Sequence, residues 1–570
     1  MAIPRQKIEL PPKYYLEYFN YLVDFVERMY VSILNENESK FIEKYKALSE
    51  NEKCLFIRFV NRTGRFFKTD KLKYVEIENI PYQIEALVAA QFIEKSNENW
   101  LPILPELMQI FTKNELIANF KKIGITFKGH AEYTKNETID KLIQLVPERD
   151  ILILLADNEP IIKVNFEVEV MMLKFLFFGN RYDSMTEFVT RDLGFQKYQQ
   201  FDEDKMVAHF ASRQEAEDKL LVSLVSEKFY ELASELPPAE HAIWLANWIL
   251  VNEGMLSEAA QMSLERLKLR AAAYFEKAKQ PLEAFDIYSL TELPPSRERR
   301  IRILAKTDRF DEAFTLCNTI LGNPNSTDEL YFAVDFVKKI EAKNLKKRIK
   351  KSVTIQLHES ETISIDPIWK NRVEAGVINY YEQKGEMAVF SENFLWKSLF
   401  GLLFWDIIYD TEALAIHHPL QRAPSDIYKP IFFESRRSKL LDRLDLLEEK
   451  EDLINFIDRT FLEKQDITNP LVDWSAITYH SVLKLCEKLD NRHIRAVMLE
   501  MAVNLKNNTH GFPDLFTWNT DSYEFVEVKS PTDNLSNQQL YWHRFFERIG
   551  LKSKVLRVDW LKTDTEKLFN

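Results

Sequence analysis

The chain has 570 residues and a formal net charge of −12, so it is long enough for several domains but cannot coat nucleic acid through overall positive charge. Only 12 glycines are present, which leaves few tight turns and favours helices. Its three cysteines are far apart and give neither a disulfide framework nor zinc-ligand spacing, as in proteins of a reducing compartment. We expect a cytoplasmic protein, since neither a signal peptide nor a run of 18 apolar residues is present.

The N-terminal segment, residues 13–98, carries the first basic patch. Its pattern predicts helices, and the run LKYVEI at residues 72–77 predicts a strand. Phenylalanines interleave with the basic residues and are expected in a core, which leaves the cations free to face phosphates; a solvated helix face is the alternative. The candidate nucleic-acid contacts of this patch are Arg58, Arg62, Arg65 and Lys68.

Two short helices are predicted between Leu101 and Val146, each opened by Thr-Lys-Asn-Glu. Thr112 and Thr134 stand three residues before a glutamate, which is the spacing of a capping box. The paired helices resemble a SAP module, a small binder of the DNA backbone, although a generic helix-loop-helix would share the pattern. Lys121 and Lys122 are its candidate DNA contacts, and Lys128 and Lys135 extend the set.

Connecting helices are expected from residue 151 to 213, and amphipathic helices with small packing residues follow to about residue 345. Their alanine and aromatic spacing resembles a degenerate tetratricopeptide-like array, with a non-repetitive helical domain as the alternative. A second basic patch lies in this region, and a third occupies residues 346–351. The candidate DNA contacts of the second patch are Arg297, Arg299, Arg300 and Arg302.

A strongly apolar helix is predicted over residues 391–410, and Glu392 stands at its start. A glutamate in this position could simply complement the helix dipole. The pair His417-His418 lacks an identifiable third ligand, so a loop is favoured there over a metal site.

The most informative segment runs from Gly511 to Trp542. Residues 514–518 and 523–528 are short β-prone runs separated by turn residues, which predicts a β-hairpin. Antiparallel pairing would bring Asp514 and Glu527 to the same end of the sheet, and Lys529 would share the face of Glu527. Carboxylates suit Mg²⁺, and an adjacent lysine can position water or neutralise a phosphate, so this arrangement predicts metal-dependent phosphodiester cleavage.

The order PD, a gap and then ExK is the PD-(D/E)XK signature, and its extension to Gln539-x-x-Trp542 resembles the VRR-NUC domain of the restriction-endonuclease-like superfamily. Upstream, the motif E-x(7)-FGLLFWDII and the later FESRR resemble the Fanconi-associated nuclease family. The resemblance covers most of the chain. It implies a mainly α N-terminal and central region, containing the SAP-like module and the tetratricopeptide-like array, and a C-terminal α/β nuclease domain.

The resemblance also implies the composition of the site. Glu392, Asp514, Glu527, Lys529 and Gln539 would be catalytic. Glu392, Asp514, Glu527 and the backbone of Val528 would hold one or two Mg²⁺ or Mn²⁺ ions. Glu500 is the alternative for the first carboxylate, because it lies closer to the PD motif in the sequence.

The implied activity is a structure-specific DNA endonuclease and 5′–3′ exonuclease that acts on 5′ flaps and branched duplexes in interstrand crosslink repair. A junction resolvase or restriction-like nuclease with the same core is one alternative, and a helical-repeat scaffold with a nearly idle site is another. We expect a bacterial monomer that does not contact membranes and has no ubiquitin-binding zinc finger. The predicted domains are a helical or winged DNA-binding region (1–100), the SAP-like module (101–150), connecting helices (151–213), the array (214–375) and the nuclease domain (376–570).

Overall fold

The computed structural model describes residues 9–126, 132–344 and 352–561, except the side chains of residues 341–344 and 352–355. The chain divides into two compact units. The first unit comprises residues 1–195 and 208–213, and the second comprises residues 196–207 and 214–570. In the described residues no helix is both long enough and apolar enough to cross a membrane.

The first unit is helical with a small antiparallel sheet of order β1-β3-β2. Its helices are α1 (Tyr14–Tyr30), α2 (Glu36–Ala47), α3 (Glu50–Val60), α4 (Ile80–Ala89), α5 (Leu104–Met108), α6 (Lys113–Lys122), α7 (Lys135–Leu145), α8 (Glu148–Asn158), α9 (Glu167–Phe178) and α10 (Thr186–Asp192). Its strands are β1 (Phe66–Lys68), β2 (Ile93–Lys95) and β3 (Ile161–Val164). Phe67 pairs with Ile162, and Glu94 pairs with Lys163.

The strand predicted at residues 72–77 does not form, so that prediction is wrong; β1 lies just upstream instead. Phe66 and Phe67 are both buried, and they bring the backbone against β3. In the predicted run Val75 is fully exposed although Ile77, on the same face of a regular strand, is buried, so the run does not have one buried face. Burial of the aromatic pair therefore decides which segment joins the sheet.

The two capped helices of the SAP-like segment are confirmed as α6 and α7. Thr112 and Thr134 each accept a hydrogen bond from the backbone N–H of the glutamate three residues later, and both glutamates bond back to complete the capping box. Leu116 and Leu142 pack into a shared apolar core with Trp100. Lys128 falls outside the described residues.

The second unit contains a helical array, followed in the sequence by a five-stranded sheet. The array consists of α11 (Arg213–Leu232), α12 (Pro238–Asn252), α13 (Glu258–Lys277), α14 (Pro281–Tyr288), α15 (Ser296–Lys306), α16 (Phe310–Gly322) and α17 (Thr327–Asn344). Small residues such as Ala271 and Ala284 are fully buried between its helices, which lets the backbones approach closely. The basic run at residues 346–351 lies outside the described residues.

The sheet has the order β4-β8-β7-β6-β5. The remaining elements are α18 (Ser352–Glu359), β4 (Glu361–Ile365), α19 (Val373–Gln383), β5 (Met387–Phe390), α20 (Phe394–Leu403), α21 (Trp405–Ile408), α22 (Ile431–Leu446), α23 (Lys450–Lys464), α24 (Tyr479–Lys488), α25 (Asn491–Val503), β6 (Leu515–Trp518), β7 (Tyr523–Lys529), α26 (Asn537–Ile549) and β8 (Ser553–Trp560). Strands β5, β6 and β7 form an antiparallel meander, and β8 runs parallel to β7 after the α26 crossover.

Both faces of this sheet are covered. Val377 of α19 packs on one face with Val526 and Val528. On the other face, Trp396 of α20 lies 5.5 Å from the ring of Phe525. A helical N-terminal and central region followed by a C-terminal α/β domain is confirmed. The sheet already includes β4 at residues 361–365, upstream of residue 376, and the division into domains otherwise stays a prediction.

Candidate active site

The predicted hairpin is confirmed, and it places the two acids at one edge of the sheet. Leu515 pairs with Val526, so Asp514 and Glu527, the residues next to this pair, lie side by side. Asp514 Oδ2 accepts a hydrogen bond from the backbone N–H of Val528 at 2.7 Å. This bond fixes the carboxylate against the neighbouring strand and leaves Oδ1 with no hydrogen bond from the described residues.

Glu527 is fully buried, and its two oxygens differ. Oε1 accepts from Lys529 Nζ at 2.7 Å and from Gln539 Nε2 at 2.5 Å. Oε2 is buried and has no hydrogen-bond partner among the residues that the structure describes. A buried oxygen that lacks a partner is costly, unless a further group binds there.

Burial and mutual repulsion disfavour the charged form of both acids. Burial raises the pKa of Asp514 to about 7, although the Val528 N–H and Lys529 oppose the shift. Burial and the charge of Asp514 raise the pKa of Glu527 well above its usual value. Burial lowers the pKa of Lys529, but its acidic neighbours more than compensate and leave it above 10.5. The site therefore has a deficit of positive charge, which a bound cation would remove.

These residues fit a hard divalent cation. Two oxygens lack a hydrogen-bond partner among the described residues, Asp514 Oδ1 and Glu527 Oε2, and both are carboxylate oxygens, which Mg²⁺ and Mn²⁺ prefer. Within the described ranges, no three His, Cys, Asp or Glu side chains are arranged as a ready-made metal cluster. The third ligand would have to come from the backbone, from water or from a side chain that moves.

Glu392 lies at the same edge of the sheet. It follows β5, whose Phe390 pairs with Leu515, and its backbone N–H lies 3.2 Å from the carbonyl oxygen of Asp514. Its side chain is exposed and accepts from Asn393 Nδ2 at 3.2 Å, yet its charge contributes to the raised pKa of both buried acids. The carboxylate is thus close enough to act electrostatically on both acids.

The alternative acid, Glu500 of α25, has another partner. Its carboxylate accepts a hydrogen bond from the Tyr541 hydroxyl of α26. Glu392, and not Glu500, is among the main charges that raise the pKa of Asp514 and of Glu527. The geometry favours Glu392, and the metal-binding role of either residue stays a prediction.

Gln539 contacts the site and also caps a helix. It is the third residue of α26, where its Oε1 accepts from the backbone N–H of Ser536 at 2.8 Å, and Ser536 Oγ accepts in return. Its Nε2 is thereby aimed at Glu527. One side chain stabilises the helix start and orients a candidate metal ligand.

One acid near the site was missed by sequence reasoning. Glu374, in the first turn of α19, also raises the pKa of Asp514 by its charge. It lies 140 residues before Asp514 in the sequence, and no local motif connects the two. Only its position, at the start of the helix that precedes the β5 strand of the meander, could have drawn attention to it.

The predicted DNA-binding residues are mostly paired with acids. In the first unit, Arg58 pairs with Glu76 at 2.5 Å and Arg65 pairs with Glu106 at 2.6 Å. Lys68 is buried between Glu115 and Glu159. Among the described residues, Arg62, Lys121 and Lys122 have no carboxylate partner.

The array arginines follow the same trend. Arg297 is 4% exposed and binds Glu329 at 2.5 Å, so its charge is already neutralised inside the array. Arg299, Arg300 and Arg302 lie nearer the surface and pair with Glu276, Glu292 and Glu298. A DNA contact would have to exchange these pairs for phosphate, and this set stays a prediction.

The fold and the site define a nuclease of the VRR-NUC class. Residues 448–560 match the model of the VRR-NUC domain, and residues 13–94 match the FAN1 HTH domain. The restriction-endonuclease-like core expected from the sequence is thereby confirmed, together with its enzymatic class. Nucleases with this PD-(D/E)XK-type core depend on divalent metal ions.

Along nearly its whole length the chain is similar to the Fanconi-associated nuclease family. It is 27% identical to the Fanconi-associated nuclease 1 homolog of Pseudomonas aeruginosa, over 98% of each chain. It is also 31% identical to human Fanconi-associated nuclease 1, over 33% of this chain and 19% of the human one. A crystal structure of paFAN1 bound to 5′ flap DNA, with a 2-nucleotide flap and a gap, has a TM-score of 0.79 at 25% identity and covers 99% of this chain and 100% of that chain.

Proposed function

We propose that this nuclease cleaves DNA at 5′ flaps and branch points and trims strands from a 5′ end, with Mg²⁺ or Mn²⁺ as cofactor. The observation that carries the chemistry is the buried pair Asp514 and Glu527, which leaves two carboxylate oxygens at one sheet edge without a hydrogen-bond partner in the described part of the chain. The similarity to a structure bound to 5′ flap DNA, along nearly the full chain, supports the substrate class.

Asp514 and Glu527 would hold the cation, together with Glu392 and the backbone of Val528. One or two ions bound there would polarise the scissile phosphate and lower the pKa of the attacking water. Gln539 keeps Glu527 in one orientation through its 2.5 Å hydrogen bond. Precise placement of the metal ligands depends on such outer contacts.

Lys529 supplies the fixed positive charge of the site. Its Nζ binds Glu527 Oε1, so the ammonium lies beside the acids. Its raised pKa keeps it protonated at neutral pH, so it acts as a hydrogen-bond donor and not as a base. It would therefore orient the attacking water or bind a phosphate oxygen, and stabilise negative charge as it develops.

Substrate choice by shape needs contacts to the backbone and not to base edges. Three cations of the first unit that have no carboxylate partner among the described residues, Arg62, Lys121 and Lys122, are suited to such contacts. We propose a role in interstrand crosslink repair in the bacterial cytoplasm, where the protein would act as a monomer.

Cleavage of matched 5′-flap, 3′-flap and four-way junction DNA, each with Mg²⁺ and with EDTA, tests this proposal. The 5′ flap should be cut fastest, and EDTA should stop all cleavage. Equal rates on both flaps would refute the polarity. Preference for the four-way junction would favour the resolvase, and no cleavage of any substrate would favour the idle scaffold.

A further inference from the structure

A cavity of about 590 Å³ in the first unit is lined by cations and tyrosines. Its walls come from α1, from the end of α3 with the following loop, from α9 and from α10. Arg58, Arg62 and Lys174 line it, and none of its described lining residues is a carboxylate. In a chain of net charge −12, such a lining is unusual and indicates an anionic ligand.

Lys174 is the central cation of this cavity. Its Nζ donates to Asn61 Oδ1 at 3.1 Å and lies 3.5 Å from the carbonyl oxygen of Val60, and both acceptors are neutral. Burial lowers its pKa to about 8. An anion in the cavity would restore the charged form and supply the carboxylate or phosphate that buried lysines normally have.

The other two cations differ in how far they are neutralised. Arg58 binds Glu76 and packs 4.0 Å from the ring centroid of Tyr15, so its position is fixed and its charge is already paired with a carboxylate. Arg62 is exposed and donates only to the Tyr74 hydroxyl, at 3.4 Å, among the described residues. Arg62 and Lys174 therefore retain free hydrogen-bond donors.

The aromatic wall indicates what the anion is attached to. Tyr15 is occupied by Arg58, and Tyr18 stacks on Phe188 and donates to Asp192. Tyr14 is half-exposed and meets its tyrosine neighbours only edge-on or tilted, so a face remains available. A face of this kind can stack a planar base. The volume is far larger than a phosphate ion needs and falls in the range of small-molecule sites.

A second cavity, of about 470 Å³, shares Arg62 and Lys174 with the first. It is less suited to an anion, because Glu106 and Glu167 line it and Arg65 is already paired with Glu106. Arg62 and Lys174 therefore lie between two cavities, and only the first, tyrosine-lined cavity has no carboxylate among its described lining residues. This asymmetry places the anion in the tyrosine-lined cavity.

We propose that this cavity binds one unstacked nucleotide of a single DNA strand, with its phosphate on Lys174 and Arg62 and its base on Tyr14. The inference rests on the proposed action on DNA and adds a binding site for an unpaired nucleotide. The shared chemistry is that of a nucleoside phosphate, whether it belongs to a strand or is free in solution.

The test uses the full chain in EDTA, so that no cleavage occurs, with a fluorescein-labelled oligothymidylate as the probe. Lys174→Met and Arg62→Ala should each raise Kd about tenfold, the effect of losing one charge-assisted hydrogen bond. Each should also reduce the slope of log Kd against log salt concentration by about 0.7. Lys40→Met, at a lysine whose side chain is 60% exposed and pairs with Glu36, should change neither value.

A footprint locates the contact directly. Acetylation of Lys174 by sulfosuccinimidyl acetate, followed by mass spectrometry, should slow when the oligothymidylate is added, while acetylation of Lys40 should not. Equal protection by thymidine monophosphate would identify the free nucleotide as the ligand, and protection by inorganic phosphate alone would refute the role of the base.

The proposal is overturned if both variants bind the probe as the wild type does, or if the probe does not protect Lys174. Arg62 is exposed, so loss of folding cannot account for the effect of its substitution. Cleavage of flap DNA by the wild type is measured in parallel with Mg²⁺. If the wild type cleaves but the cavity variants bind normally, only the cavity assignment fails.

Discussion

Asp514→Asn should stabilise the metal-free protein at alkaline pH, although it should abolish cleavage. The wild-type carboxylate is 7% exposed and lies beside Glu527, so ionisation of Asp514 opposes folding. Asparagine keeps an oxygen that accepts the Val528 N–H and removes the charge. The substitution therefore separates electrostatic repulsion from hydrogen bonding.

The sign and size follow from the raised pKa. Burial raises the pKa of Asp514 from 3.8 to about 7, so between these values the folded state keeps a proton that the unfolded state loses. The wild type therefore loses stability as pH rises from about 4 to about 7. At 1.36 kcal/mol per pKa unit, the loss is at most about 4 kcal/mol above pH 7 and vanishes near pH 4.

Urea denaturation in EDTA, followed by circular dichroism at about pH 8 and about pH 4.5, measures the difference. Asp514→Asn should gain stability over the wild type at the higher pH and show little gain at the lower. The matched control is Asp521→Asn in the exposed hairpin turn, which should show no such pH dependence. If Asp514→Asn is no more stable than the wild type at pH 8, ionisation of Asp514 does not destabilise the metal-free fold.

Three further results are expected. Mn²⁺ affinity and the cleavage rate should rise as the pH increases through about 7 and beyond. The reason is that protons compete with the cation for Asp514 and Glu527, whose pKa values are both raised. A cleavage rate that falls over this pH range would contradict the raised pKa values. Gln539→Glu should retain the helix cap and the melting temperature but lower the cleavage rate about 10–100-fold, because a carboxylate replaces the amide that donates to Glu527. An unchanged cleavage rate would show that Gln539 does not orient Glu527. Glu392→Gln should weaken Mn²⁺ binding measured by calorimetry while Glu500→Gln should not, and the reverse result would make Glu500 the first carboxylate.

The sequence was most informative where chemistry and structure are local. Asp514, Glu527 and Lys529 were predicted because strand alternation and one short turn determine which side chains meet, and both operate over a few residues. The capping boxes at Thr112 and Thr134 were equally local and are confirmed. Such features do not depend on how distant segments pack.

Features that depend on tertiary packing were not predictable. Glu374 reaches Asp514 electrostatically only because α19 packs on the sheet, and Arg297 is buried only because α17 supplies Glu329. The strand at Phe66–Lys68 replaced the predicted one because β3, almost a hundred residues later, offers it a partner. The neutralisation of surface arginines also needs coordinates, since the acids that pair with them are scattered through the chain.

The central claim is that the cation binds between Asp514 and Glu527, and electron paramagnetic resonance of Mn²⁺ tests it most directly. Titrated at about pH 8 without DNA, the wild type should bind one or two ions per chain. Glu527→Gln keeps the side-chain volume and removes the charge, so it should lose this binding and cleavage together. If Glu527→Gln binds Mn²⁺ with the stoichiometry and affinity of the wild type, the metal lies elsewhere and the account of the active site is wrong.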